Sequence, residues 1–237
     1  MKPATMPFTA HLGELRQRLI KSVIAVAIGT IVAFIFSDQI LDILVEPYRA
    51  INPDAALATF RPTEAFSVVM RLSLWGGAII ASPIITFQVW RFVAPALSPR
   101  EKRWAIPVVA VLAFLFLLGV GVGYLALERG LSFLLDFGGD ALVPVIGADF
   151  YLKFAMRFLL AFGIAFQFPV FLFAGAAFGL VTSQRLRSSR RWMVVIILIA
   201  AALITPSGDP LTLMMLAVPL YILYELAILA IRFILRK

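Results

Sequence analysis

Six apolar runs, separated by polar stretches whose charges are sorted by sign, constrain this chain more than any other feature. The runs cover about 20–36, 68–94, 104–127, 154–178, 192–204 and 211–231. About 20 apolar residues are needed to carry a helix across a hydrocarbon core of about 30 Å. Within that core each backbone polar group has to be bonded inside its own segment, which favours helices. An all-α membrane protein with six transmembrane helices is therefore predicted. The fifth run is about 13 residues, about 20 Å as a helix. Thr205-Pro206-Ser207-Gly208-Asp209-Pro210 parts it from the sixth. Two prolines, a glycine and an aspartate forbid a continuous helix there, so a tight hairpin between short fifth and sixth helices is expected. At 62% hydrophobic, 14% charged and a mean hydropathy of +0.99, a water-soluble globule is excluded.

The charges then orient the runs. Of 21 Lys and Arg, fifteen fall in the N-terminal stretch, the stretches around 91–103 and 185–191, and the C-terminal tail. With six spans all four regions lie on one side, and the excess of Lys and Arg marks that side as cytoplasmic. Both termini are expected there. Ten of the 13 acids fall on the opposite side, in loops at about 37–67 and 128–152 and in the hairpin. Those two loops are too long for simple turns and are expected to carry short helices. The whole chain, 1–237, reads as one integral membrane domain without repeats or linkers. Its net charge of +8 follows from the cytoplasmic loops and does not call for nucleic acid. The N-terminal 20 residues are polar and no small-residue cleavage pattern follows the first run, so that run is expected to remain as a span.

Catalytic chemistry finds few candidates. The chain has no cysteine and one histidine, His11, so thiolate or multi-histidine metal sites are not expected. No P-loop, Gly-x-Ser-x-Gly, His-Glu-x-x-His or intramembrane aspartate pair occurs. No metal, no cofactor and no catalytic residue is expected.

Two carboxylates stand out on the basic side. Residues 9–21 read as an amphipathic helix ahead of the first span, with Leu12, Leu15 and Leu19 on one face. Glu14 and Arg18 are four apart there, a spacing that allows an ion pair along the helix. Glu101 lies in Ser98-Pro99-Arg100-Glu101-Lys102-Arg103, where an acid also suits the first turn of the third span. Together they are the only acids on this side outside the runs, and two carboxylates could accept two guanidinium forks. Within the runs the polar residues are Arg71, Gln88, Arg157, Gln167 and Glu225. Arg71 and Arg157 are near the outer ends and can snorkel. Gln167, beside Pro169, either bonds backbone freed at a kink or marks a polar patch. Glu225 either pairs structurally, with Arg232 two turns on, or takes a proton role. Pro83 and Pro169 predict kinks.

Five motifs, in order along essentially the whole chain, resemble the TatC family, the receptor subunits of the twin-arginine protein translocase. They are His11-Leu12-Gly13-Glu14-Leu15-Arg16-Gln17-Arg18-Leu19; Phe92-Val93-Ala94-Pro95-Ala96-Leu97 with Arg100-Glu101-Lys102-Arg103; Phe162-Gly163-Ile164-Ala165-Phe166-Gln167-Phe168-Pro169; Thr205-Pro206-Ser207-Gly208-Asp209-Pro210; and the stretch 219–225. The resemblance implies a kinked, concave, glove-like six-helix bundle. It also implies a non-enzymatic receptor in the cytoplasmic membrane of a prokaryote, which binds twin-arginine signal peptides of folded cargo and nucleates export driven by the proton-motive force. Glu14 and Glu101 match the family's signal-binding acids, and Arg16 and Phe92 match functional positions near them. Gln167 and Glu225 are the intramembrane polar candidates for docking single-span TatA- and TatB-type subunits. Asp209 and Pro47 belong to outer-loop motifs. Membrane lipid and further copies of the chain complete the expected partners. Family members often carry glutamate where this chain has Gln167, which keeps hydrogen bonding but cannot titrate. They also often carry glutamine near the place of Leu213. The alternative is a polytopic small-solute or ion transporter, which needs a path of ionisable residues or repeat-related broken helices that this sequence does not display.

Overall fold

The computed structural model describes residues 8–53, 57–93, 105–136, 145–177, 179–205 and 208–235. Its helices are α1 (Phe8–Ile35), α2 (Ser37–Ile51), α3 (Glu64–Val93), α4 (Ala105–Asp136), α5 (Ala148–Ala165), α6 (Phe168–Ala177), α7 (Ser183–Ser188), α8 (Arg190–Ile204) and α9 (Pro210–Ala230), which passes into a π-helical turn at Ile231–Leu235. Among the described residues the only β pairing is a single bridge between Ala58 and Gly147.

Among the described residues five stretches are long and apolar enough to cross a membrane: Leu12–Ile35, Glu64–Phe92, Pro107–Asp136, Ala148–Ala177 and Pro210–Leu235. They match the first, second, third, fourth and sixth runs. The fifth run forms α8, which at 15 residues is about 22 Å long and falls short of a core of about 30 Å. The sixth is less short than its sequence suggests, because the π-helical turn prolongs α9 to a 26-residue stretch. Side chains on these helices stay bare where a soluble protein would cover them, with Leu203 82% and Leu125 74% exposed. Such surfaces are a liability in water and the ordinary state against lipid.

Local chemistry decides where helices run on and where they stop. The amphipathic stretch 9–21 is not a separate helix: it continues into the first span as α1, since no glycine or proline lies between Gly13 and Gly29. The Ser22 hydroxyl donates to the Arg18 carbonyl at 3.0 Å within that join. The 37–67 loop carries the expected short helix as α2, with Pro47 buried in it. The fourth run breaks at Phe166 and Gln167, and α6 restarts with Pro169 in its first turn, where a missing N–H costs least. Pro83 produces no comparable break, and α3 passes through it as one helix. In the hairpin Gly208 takes the left-handed φ of +62° that a side chain would resist. Asp209 then caps α9, its carboxylate accepting from the Thr212 backbone N–H at 2.8 Å and from the Thr212 hydroxyl.

The contacts gather into two compact units, one of residues 1–41 and 69–114, the other of 42–68 and 115–237. In the first, α1 and α3 touch backbone to backbone. A Cβ added to Gly29 would lie 2.6 Å from the Gly77 carbonyl oxygen, so only glycine permits this approach. In the second, α4 meets α5 in the same manner, Gly119 facing the Phe162 carbonyl and Gly163 facing Phe116. Phe158, Phe162 and Phe166 are buried there, and α9 packs on α6 and α8.

One end of the second unit is tied by polar bonds. Ala58 N–H donates to the Ile146 carbonyl at 3.0 Å and Ala148 N–H to the Ala58 carbonyl at 2.8 Å. The buried Glu64 carboxylate accepts from the backbone N–H groups of Phe60 at 2.8 Å, Arg61 at 3.2 Å and Asp149 at 3.3 Å. Tyr151 and Tyr124 donate their hydroxyls to the carbonyls of Leu44 at 2.7 Å and Ile43 at 2.9 Å. This clasp joins α2, α3, α4 and α5.

Candidate functional site

α1 and α3 build the site that includes Glu14. Because the two helices touch at Gly29 and Gly77, their side chains nearer residues 14–18 and 88 come within bonding distance. Arg18 Nη2 donates to Glu14 Oε1 at 2.9 Å, the i,i+4 pair that the spacing allows. Arg18 Nη1 donates to Gln88 Oε1 at 3.3 Å. The Arg18 and Glu14 side chains are 15% and 19% exposed, so the pair is sheltered but open to an incoming group. Among the described residues no bond reaches the second Glu14 oxygen. Arg16, two residues on, is exposed. Phe92 is half-buried one turn beyond Gln88 on α3, so the two share a face. Glu101 and the basic residues around it lie outside the described residues.

The sequence marks Gln88 only as a polar residue within a run, and the structure gives it a task. It is buried and supplies the second acceptor for Arg18. Its place one turn before Phe92 is the signal that could have singled it out.

The intramembrane candidates stand apart from that cluster. Gln167 Nε2 donates to the Gly163 carbonyl at 3.3 Å. It therefore bonds backbone at the helix break, the first of its two expected roles, and remains half-buried. Glu225 is paired, but with Arg190 rather than Arg232. Arg190 Nη2 donates to Glu225 Oε2 at 2.6 Å and the Tyr221 hydroxyl to Oε1 at 3.2 Å. The reason is the hairpin: Arg190 opens α8 fifteen residues before Thr205, and Glu225 lies fifteen after Pro210, so antiparallel packing sets them opposite each other. Arg232, in the π-helical turn, lies over the Phe233 ring instead. No hydrogen bond joins Gln167 to Glu225 among the described residues. Arg71 and Arg157 are exposed, as snorkelling side chains would be. Asp209 acts as the cap of α9 and Pro47 as a buried residue of α2. Leu213 is half-buried in the first turn of α9.

Among the described residues no group of three or more His, Asp or Glu side chains could hold a metal. Apolar helices and glycine-mediated crossings define a polytopic α-helical membrane protein. The sequence profile of the Sec-independent protein translocase protein (TatC) family matches residues 10–219. The TatC protein of Aquifex aeolicus is 41% identical over 94% of this chain and 93% of its own length. That of Desulforapulum autotrophicum is 40% identical over 95% of this chain and 84% of its own. A crystal structure of the twin-arginine translocase receptor TatC in DDM superimposes with a TM-score of 0.80 at 40% identity, covering 93% of this chain and 99% of that one. The chain belongs to the TatC family. It is a multi-pass membrane component of the Sec-independent protein translocase, a receptor and transport subunit rather than an enzyme.

Proposed function

We propose that this chain captures the arginine pair of twin-arginine signal peptides through Glu14 and Glu101, on the cytoplasmic side of a prokaryotic inner membrane. The observation that carries the reading is the Glu14 carboxylate, which is sheltered and, among the described residues, bonded through one oxygen to Arg18. A guanidinium fork matches a carboxylate with two parallel N–H···O bonds, a geometry lysine lacks. Glu101 sits among bases on the same side by its sequence and takes the second arginine. The surrounding Lys and Arg lie against anionic lipid, where each is worth about 1 kcal/mol. The apolar stretch of the signal follows the arginines along the exposed faces of the spans, and export then draws on the proton-motive force. Both termini are cytoplasmic, in keeping with the distribution of Lys and Arg.

Single-span TatA- and TatB-type subunits dock at Gln167 and along α8 and α9. A half-buried amide and a helix shorter than the bilayer offer such subunits a polar contact and a thinned edge. Further copies of the chain assemble around these contacts.

The test is crosslinking in membranes to a labelled twin-arginine signal peptide. Glu14→Ala combined with Glu101→Ala abolishes the crosslink on this reading, while unchanged crosslinking sinks it. Gln167→Leu is expected to impair subunit assembly and leave signal capture intact; normal export by that variant removes Gln167 from the docking site.

A further inference from the structure

We infer that Arg18 is an internal competitor for Glu14, so that a signal arginine binds by exchange rather than by entering a vacant seat. The inference rests on the reading of Glu14 as a signal-binding residue and adds to it. The Glu14 carboxylate already holds a guanidinium, donated by Arg18 Nη2 at 2.9 Å in a sheltered position. That is the bond an arginine from outside has to make.

The same geometry provides a way out for Arg18. Its Nη1 is bonded to Gln88 Oε1 at 3.3 Å, an acceptor on the other helix that an incoming arginine leaves untouched. When a ligand takes Glu14, Arg18 keeps Gln88, and neither charge is stripped of every partner. Among the described residues the buried Arg18 Nε finds no acceptor, so Arg18 is not saturated where it sits. A guanidinium with an idle donor and a monodentate hold on its carboxylate is easier to exchange than a fully bonded fork. Glu14 in turn never stands bare on a surface rich in other bases.

Exchange has a thermodynamic signature that positioning lacks. Releasing Arg18 costs the same whichever cation arrives. Competition therefore lowers the affinity of arginine and lysine signals by one common factor and leaves their ratio unaltered. If Arg18 instead held Glu14 in shape, its removal would weaken binding.

The experiment titrates two labelled signal peptides, one with paired arginines and one with paired lysines, into the full-length detergent-solubilised protein. Arg18→Gln is expected to tighten both by about twofold to fivefold, the equivalent of a weak ion pair, with the ratio between them unchanged. Arg18→Lys restores the parent affinities in part. Gln88→Leu removes the seat to which Arg18 withdraws and weakens both peptides. Melting temperatures of the same samples establish that each variant is folded. Weaker binding by Arg18→Gln, or no change, overturns the inference while Glu14 keeps its role. Failure of the parent protein to prefer the arginine peptide overturns the signal-binding reading and this inference with it.

Discussion

Glu14 and Glu64 are both sheltered glutamates near the start of a membrane helix, and they are held by opposite means. Glu64 is bonded by three backbone N–H groups from two segments that are distant in sequence. Among the described residues Glu14 is bonded by one side chain, Arg18, through one oxygen. Backbone amides cannot withdraw without unfolding the turn that presents them, whereas a side chain can rotate away. The first arrangement fixes structure, and the second leaves a carboxylate available. Asp209 falls with Glu64, held by the Thr212 backbone N–H. Glu225 falls with Glu14, held by the side chains of Arg190 and Tyr221.

The comparison breaks most forcefully at the helix crossing on which the Glu14 site depends. Gly77→Val places a side chain against the α1 backbone, and an overpacked contact of this kind costs about 3 kcal/mol. Thermal unfolding in detergent should show that loss, together with loss of signal binding because Gln88 no longer reaches Arg18. Melting at the parent temperature with parent binding would show that the crossing does not shape the site. Next in size is Glu64→Ala, which orphans three backbone donors and is expected to cost about 2–3 kcal/mol. Peptide affinity, measured on the surviving folded fraction, should stay at the parent value.

Glu14→Gln reverses that pattern. Signal affinity is expected to fall about tenfold, or about 1.4 kcal/mol, while stability moves by less than about 0.5 kcal/mol because the lost pair is partly open to solvent. The smallest effect belongs to Asp209→Ala. Removing the cap of α9 is expected to cost about 1 kcal/mol of stability without touching the Glu14 site. Selective loss of signal binding in that variant would move Asp209 out of the structural group.

Much of this division was legible in the sequence, and the remainder depended on contacts between distant segments. Hydropathy located the long apolar helices because lipid demands them, and Pro169 announced the break in the fourth run. The spacing of Glu14 and Arg18 allowed their pair because it is set within one helix. Gln88 could not be paired with Arg18 in the same way, since that bond requires α1 and α3 to close on Gly29 and Gly77. Glu64 looked like one more outer acid until the Ala58–Gly147 bridge drew Asp149 to it. Glu225 was matched to Arg232, its neighbour along the helix, because the register of the α8–α9 hairpin cannot be read from one strand of sequence. The separate N-terminal helix failed for a simpler reason: amphipathicity changes at the membrane surface, but nothing there stops the backbone hydrogen bonds of α1.

The most direct measurement sets the two glutamates side by side. Glu14→Gln and Glu64→Gln are prepared in the same detergent, and each is titrated with a labelled twin-arginine peptide and melted. Glu14→Gln should lose about tenfold in affinity with an unchanged melting temperature, and Glu64→Gln should melt earlier with its affinity intact. Parent-like peptide binding by Glu14→Gln would contradict the claim that an exchangeable carboxylate at the end of α1 reads the signal.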